Sequence, residues 1–337
     1  MKEPHYQLNR SARLQFKIWV LLNCVLLLVS CGNNNTGEPT IHPIHEPGLQ
    51  EKQNISVAGL EREYLIYLPT DPATAKIVLM LHGNSGSSSQ LLGLNGKTAP
   101  FKTWMDIALL ENLILLVPDG LIGPNGKQGW NDCRNDAPTN PAVDDVAFIN
   151  ALLDEVQVSY GNNADKVYSI GISNGGLMTL RLADEMPDRL RAIAIVVASK
   201  PVNSECVDSA VPLPVLFMNG TDDPILPYSG GQIGSDRGIV LSTVDTVNFW
   251  VNRNQTYAGP VQPIITDIDQ SENSSVLHYS YVNGTDGATV EHYEIVNGGH
   301  TEPSIQERYG RIYKLVVGEQ NGDIEMADKI WTFFSAN

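Results

Sequence analysis

Basic residues are in short supply. The 337-residue chain carries 22 Lys and Arg against 38 Asp and Glu, a formal net charge of −16. A protein that holds nucleic acid by neutralising phosphates needs the opposite balance, so nucleic acid is not an expected partner. Cysteine is also scarce, with four in the whole chain and none in a C-x-x-C spacing. That rules out a disulfide-built miniprotein and leaves a cysteine zinc site without support; neither a metal nor a cofactor is expected. No internal repeat of useful period is visible. With 18% charged and 42% hydrophobic residues, the composition is that of a globular protein rather than a disordered one.

Long apolar runs are lacking as well. The one candidate, residues 18–30, makes a helix of about 20 Å against a hydrocarbon core of about 30 Å. It is too short to span but suits the core of a signal peptide. Lys2, Arg10, Arg13 and Lys17 precede it, against the single acid Glu3. The run closes on Leu28-Val29-Ser30-Cys31-Gly32, which resembles the lipobox of bacterial lipoproteins. That resemblance implies cleavage before Cys31 and acylation of its thiol, with two or more chains giving stable anchoring. An ordinary cleaved signal is the simpler alternative. Loss of residues 1–30 leaves 18 basic and 37 acidic residues, a net −19. Residues 31–54, rich in Gly, Asn, Thr and Pro, read as a flexible tether. His42 and His45 fall in this polar stretch and read as linker residues rather than metal ligands. The expected location is the bacterial cell envelope, lipid-anchored at the outer membrane or cell surface, with the catalytic domain in the periplasm or outside.

From residue 55 to 337 the pattern predicts a single domain. Short apolar runs at 77–81, 113–117, 167–170, 192–197 and 214–218 each end in a polar or glycine-containing loop. Such runs are expected of strands buried on both faces of a parallel sheet. Residues 63–68 read as a half-buried edge strand. Helical stretches are predicted near 100–111, 144–159, 175–186, 242–253 and 324–335. Alternating strands and helices give an α/β fold: a mostly parallel, doubly wound sheet with helices on both faces. Chemistry in such folds sits at the carboxyl ends of the strands.

One of those ends carries Gly171-Ile172-Ser173-Asn174-Gly175, a G-x-S-x-G between a predicted strand and a predicted helix. In that context the serine sits on a strained turn with its hydroxyl exposed, a nucleophile in the manner of the α/β-hydrolase fold. A serine hydroxyl needs a base, which in this fold follows it, with an acid between the two. Of His278, His292 and His300, the first two lie mid-strand by pattern. His300 follows Asn297-Gly298-Gly299 in a loop and is predicted to be the base. The acid is expected in Asn219-Gly220-Thr221-Asp222-Asp223-Pro224, where spacing alone does not choose between the two aspartates. The oxyanion donors are expected to be the backbone N–H groups of Asn84, after strand 77–81, and Asn174, after the nucleophile. His82 precedes the nucleophile and reads as a buttress of its loop. Asp144 and Asp145 open a helix and read as capping and anchoring residues rather than a metal pair. Trp130, in a polar loop, reads either as a wall of the substrate pocket or as a core residue.

Together these residues resemble the secreted esterase family that holds the feruloyl and acetylxylan esterases of carbohydrate esterase family one. Its bacterial relatives are labelled polyhydroxybutyrate depolymerase-like. The matching pieces are Leu81-His82-Gly83, Pro118-Asp119-Gly120, Gly129-Trp130-Asn131, Val143-Asp144-Asp145-Val146, Gly171 to Gly175, Asn219 to Pro224 and Gly298-Gly299-His300-Thr301. They cover about residues 55–335. Asn219 stands where the family has histidine in H-G-T-x-D-P, and His82 to Gly86 replaces the usual H-G-C-G-G. The resemblance implies Asp223 as the acid and a disulfide between Cys133 and Cys206. It also implies a serine carboxylic-ester hydrolase acting through an acyl-enzyme, on feruloyl or acetyl esters of polysaccharides or on short polyhydroxyalkanoate chains. Two other readings compete with it: a serine peptidase of the same fold, and an inactive glycan-binding surface lipoprotein.

Overall fold

The computed structural model describes residues 45–337 apart from 163, 235–236 and 258–263. The lipobox cysteine Cys31, the expected signal peptide and most of the expected tether lie outside the described residues.

Fifteen strands are described. In the first half of the chain they are β1 (Gly48–Leu49), β2 (Gln53–Val57), β3 (Leu60–Leu68), β4 (Lys76–Leu81), β5 (Leu113–Pro118), β6 (Leu121–Ile122), β7 (Gln128–Gly129) and β8 (Val167–Ile172). The second half holds β9 (Leu190–Val196), β10 (Val215–Gly220), β11 (Gly231–Gln232), β12 (Ile239–Val240), β13 (Ile264–Thr266), β14 (Ser275–Tyr281) and β15 (Val290–Val296). The α-helices are α1 (Ser88–Leu91), α2 (Trp104–Glu111), α3 (Asp145–Tyr160), α4 (Asn174–Glu185), α5 (Thr243–Arg253), α6 (Arg311–Val317) and α7 (Met326–Ala336). Among the described residues no helix is long and apolar enough to cross a membrane.

The main sheet runs β1-β3-β5-β4-β8-β9-β10-β15-β14-β13, with β2 also on β3. From β5 through β15 every pairing is parallel. Antiparallel pairings finish both ends. The central strands are apolar throughout because both faces are covered. In β4, Ile77, Leu79 and Leu81 enter one core while Val78 and Met80 enter the other. Helices α3, α4 and α5 supply side chains to the first core, and α2 and α7 to the second. This is an α/β-hydrolase sheet. The chain leaves β4 toward β5 and returns to lay β8 on the opposite flank of β4. Strand order reverses there, so a crevice opens between the carboxyl ends of β4 and β8.

Three expectations need correction. Residues 63–68 belong to β3, which is not an edge, because β1 and β2 pair outside it. Among the described residues strand pairing starts at Gly48, so the last part of the expected tether at 31–54 belongs to the sheet. Helix α6 was not anticipated. Its Ile312, Leu315 and Val316 are 83%, 87% and 67% exposed, so it lacks the one-sided apolar stripe that marks a helix in sequence.

One buried ion pair anchors α3 beside the crevice. Arg62 of β3 donates to Asp145 at 2.7 Å, with both side chains almost fully enclosed. The guanidinium also lies 3.8 Å from the centre of the Phe148 ring. Burial pushes the Asp145 carboxyl up, against the downward pull of Arg62. Asp145 also accepts from the Asn131 N–H at 2.8 Å, while Asp144 caps the helix by accepting from Ala147 N–H at 2.9 Å. Both aspartates are therefore structural, as their helix-start position indicated.

Candidate active site

Ser173 stands between β8 and α4 with φ 54° and ψ −120°. Positive φ on a residue with a Cβ costs about 1–3 kcal/mol and persists only where the surroundings enforce it. Here Ser173 N–H donates to Val196 O at 2.9 Å, and its carbonyl accepts from Leu177 N–H at 3.0 Å. The following glycine admits the turn, since a Cβ on Gly175 would lie 2.2 Å from Leu81 O. Thus β4 and the start of α4 touch through backbone alone, and the hydroxyl is held at the crevice mouth.

The loop after β10 brings in Asp223, the expected acid. Asp223 Oδ1 accepts from the N–H groups of Ile225 and Leu226, both at 2.8 Å. Its Oδ2 meets His300 Nδ1 at 2.6 Å. Asp222 is exposed, and among the described residues the Thr221 hydroxyl is the one donor to its carboxylate, at 3.2 Å. His300 is carried by the loop after β15, pinned by its own N–H on Val317 O at 2.6 Å and by Gly299 N–H on Glu319 O at 2.8 Å. An ionised carboxylate can only accept, so Nδ1 carries a hydrogen, which in the neutral ring puts the lone pair on Nε2. Ser173 and His300 line one cleft of about 700 Å³.

The other two histidines are elsewhere. His278 on β14 meets Glu291 at 3.1 Å and stacks on Tyr293. His292 on β15 is buried between Tyr228 and Tyr279. Burial, aided by nearby His278, pushes its imidazole down to about 3. His82 bonds through Nδ1 to Gly83 O at 2.8 Å and accepts Gly120 N–H at Nε2, 3.0 Å. Burial lowers its pKa too, so it braces the loop as a neutral ring.

Asn84 follows β4 and lines the cleft. Its neighbours Ser85 and Gly86 commit their N–H groups to Gln128 O and Gly83 O, at 2.7 and 2.9 Å. Asn174 opens α4, where the first N–H groups have no intrahelical acceptor and the dipole favours negative charge. The Asn174 side chain is locked: Oδ1 accepts Trp130 N–H at 2.8 Å, and Nδ2 donates to Asp132 at 2.5 Å and to Trp130 O at 3.1 Å. Asp132 is held in turn by Arg134 at 2.6 Å and Asn140 at 2.8 Å. The next residue, Cys133, is disulfide-bonded to Cys206 with Cα atoms 5.5 Å apart, which ties this loop to the segment after β9.

The pocket-wall reading of Trp130 is corrected. Its ring is fully buried, its indole N–H donates to His82 O at 2.8 Å, and it packs in the core beneath the loop. It supports Asn174 without facing the cleft.

Two cleft residues escaped the sequence reading. Glu302 is buried two positions after His300 and accepts from the Tyr309 hydroxyl at 2.8 Å. Burial pushes the Glu302 carboxyl up and the Tyr309 phenol up with it, while His300 draws the carboxyl the other way. No spacing marks either residue; only Glu302's closeness to His300 in sequence hinted at it. A second, smaller hollow of about 10 Å³ adjoins Ser173 on the side of Asn84, Asn174 and Leu177.

No family model matches the chain. The chain is 32% identical over 299 residues to NocK of Nocardia uniformis subsp. tsuyamanensis, which bears the name esterase; 82% of this chain and 80% of that protein are covered. It is 26% identical over 197 residues to feruloyl esterase C of Emericella nidulans, covering 57% of this chain and 67% of that one. Among solved structures, the acetyl xylan esterase of Aspergillus awamori superposes with a TM-score of 0.50 at 13% identity, over 86% of this chain and all of that one. That likeness shows the shared fold.

Proposed function

Since the chain belongs to the esterase family of its Nocardia relative and is a carboxylic ester hydrolase, we propose that it works by serine chemistry through an acyl-enzyme. The observation that carries this is the 2.6 Å contact of Asp223 with His300, in a cleft shared with a serine on a strained turn.

Ser173 Oγ attacks the ester carbonyl carbon as His300 Nε2 takes its proton. Asp223 fixes the tautomer and stabilises the imidazolium that forms. The N–H groups of Asn84 and Asn174 receive the negative charge on the carbonyl oxygen, in a site that needs no rearrangement to bind it. The tetrahedral species collapses, His300 gives its proton to the leaving alcohol, and the acyl group remains on Ser173. Water then repeats the sequence and releases the acid. The proposed substrates are feruloyl or acetyl esters of polysaccharides, or short polyhydroxyalkanoate chains. The names of the relatives and the family motifs support this range.

The test is Ser173→Ala. Hydrolysis of 4-nitrophenyl acetate should fall by several orders of magnitude, on the order of 10⁶ for a nucleophile of this kind, with an unchanged circular dichroism spectrum. Activity near that of the wild type would remove Ser173 from the mechanism.

We also propose, on the lipobox pattern alone, that Cys31 is acylated and that the enzyme is held at the bacterial cell envelope, with its catalytic domain in the periplasm or outside.

A further inference from the structure

Four residues line both hollows at the crevice: Asn84, Ser173, Ile225 and Arg237. Asn84 and Ser173 belong to the proposed chemistry, on which this inference rests, and Ile225 is an aliphatic wall. Arg237 has no part in that chemistry. It is carried by the hairpin of β11 and β12, two residues before Ile239 pairs with Gln232. Arg134 donates to the Arg237 carbonyl and to Asp132, which in turn holds Asn174. The backbone of Arg237 is thus tied to the network that locks the residue after the nucleophile. The smaller hollow, of about 10 Å³, has room for about one water-sized group. Its walls are therefore near neighbours, and Arg237 borders the space beside Ser173.

Enclosed arginines elsewhere in this acidic chain are matched by carboxylates. The side chains of Arg62, Arg134 and Arg253 bond Asp145, Asp132 and Asp184 at 2.7, 2.6 and 2.8 Å. Arg237 is half-buried, and among the described residues no carboxylate bonds it. Its Nε donates to Gly234 O at 2.8 Å, and among the described residues Nη1 and Nη2 have no acceptor. A guanidinium presents those two nitrogens as a planar fork that matches the two oxygens of a carboxylate. Burial, with the charge of Arg134 added, pushes the Arg237 pKa down, so this cation gains by meeting an anion. Of the described residues that line either hollow, Glu302 is the one acid, and the Tyr309 hydroxyl engages it at 2.8 Å.

We propose that the substrate is an ester carrying a carboxylate within a few bonds of the scissile carbonyl, and that Arg237 binds this carboxylate through Nη1 and Nη2. Arg237 then sets specificity by charge. Ser173 and His300 cut the acyl C–O bond as before, and the bound carboxylate is not transformed. A neutral ester offers the fork no partner and leaves a partly desolvated cation unanswered. The carboxylate can belong to the acid half or to the alcohol half of the ester, and the two cases separate experimentally.

The experiment compares carboxylate and carboxamide esters of the same shape, with acid release followed in a pH-stat. For the acid half the pair is monoethyl succinate and ethyl succinamate. For the alcohol half it is 3-acetoxypropanoate and 3-acetoxypropanamide. In at least one pair the carboxylate should lead in kcat/KM by about tenfold or more, and that pair assigns the half. Arg237→Gln should bring its ratio close to one. Arg237→Lys, which keeps the charge without the fork, should retain part of the preference. Equal kcat/KM within both pairs for the wild type would overturn the proposal with no variant needed. So would an Arg237→Gln that lowers both members of a pair alike, since the guanidinium would then serve the oxyanion or the loop rather than a substrate anion. Ser173→Ala tests the chemistry separately. An inactive Ser173→Ala beside a wild type indifferent to charge leaves serine catalysis standing and removes only this inference.

Discussion

Two neighbouring aspartates with the same charge have different contacts because backbone amides pick between them. Asp223 accepts two N–H groups on one oxygen and His300 on the other, whereas Asp222 faces solvent. Asp223→Asn should lower kcat by about 10⁴ by disturbing the imidazole tautomer. Asp222→Asn should stay within about threefold, as exposed surface changes do; steady-state kinetics on 4-nitrophenyl acetate distinguish the two. The sequence narrowed the acid to this pair by placing them after an apolar strand. Spacing stopped there because the choice depends on which carboxylate the turn directs inward, and only the family resemblance implied Asp223. The fate of Trp130 was hidden for a similar reason: a tryptophan in a polar loop looks the same in sequence whether the loop folds over it or leaves it open. Glu302 was invisible because its closeness to Tyr309 arises from the path of a loop with no period.

Among the elements, β15 carries a group whose charge state bears on stability. His292 sits mid-strand with its ring between two tyrosines, and its buried Nε2 has no hydrogen-bond partner among the described residues. In the unfolded chain it takes a proton near pH 6.5, but in the folded strand only near pH 3. Between those values unfolding takes up a proton. This contribution is therefore complete above pH 6.5 and is lost as the pH falls toward 3, by up to about 1.4 kcal/mol per pH unit. His292→Phe keeps the stack and removes the titration. Urea unfolding from pH 6.5 to 4 should show a shallower loss of stability in the variant, and equal slopes would mean the ring is not buried uncharged. The central strands were readable from their apolar runs because the sheet is covered on both faces. The outer strands were not: β2 alternates half-buried and exposed residues, and β1 has only two. Helix α6 was missed because its exposed aliphatic residues break the expected pattern.

For the whole molecule, the deciding feature is the reversal of strand order between β4 and β8. It opens the crevice into which the loop of Asn84 and the turn of Ser173 both project, while the loops after β10 and β15 deliver Asp223 and His300 from one flank. That arrangement was foreseeable from the order of apolar runs and their polar ends, although the pairing order was not. Attachment to a membrane is a property of the whole chain. If Cys31 is acylated, Cys31→Ala should move the protein from the membrane pellet to the soluble fraction and abolish labelling by a radioactive fatty acid. An unlabelled wild type would contradict the anchor.

The contact beneath the base also bears on redesign. A Cβ at Gly299 would lie 2.2 Å from Val317 O, and one at Gly318 would lie 2.7 Å from the Gly299 Cα. Main chain rests on main chain there, directly under His300. The stretch between them carries Tyr309 and Tyr313, the rings that face the cleft. A mutagenesis library aimed at new selectivity can randomise those two codons, but must hold the flanking glycine codons constant or lose the imidazole's footing along with the old preference.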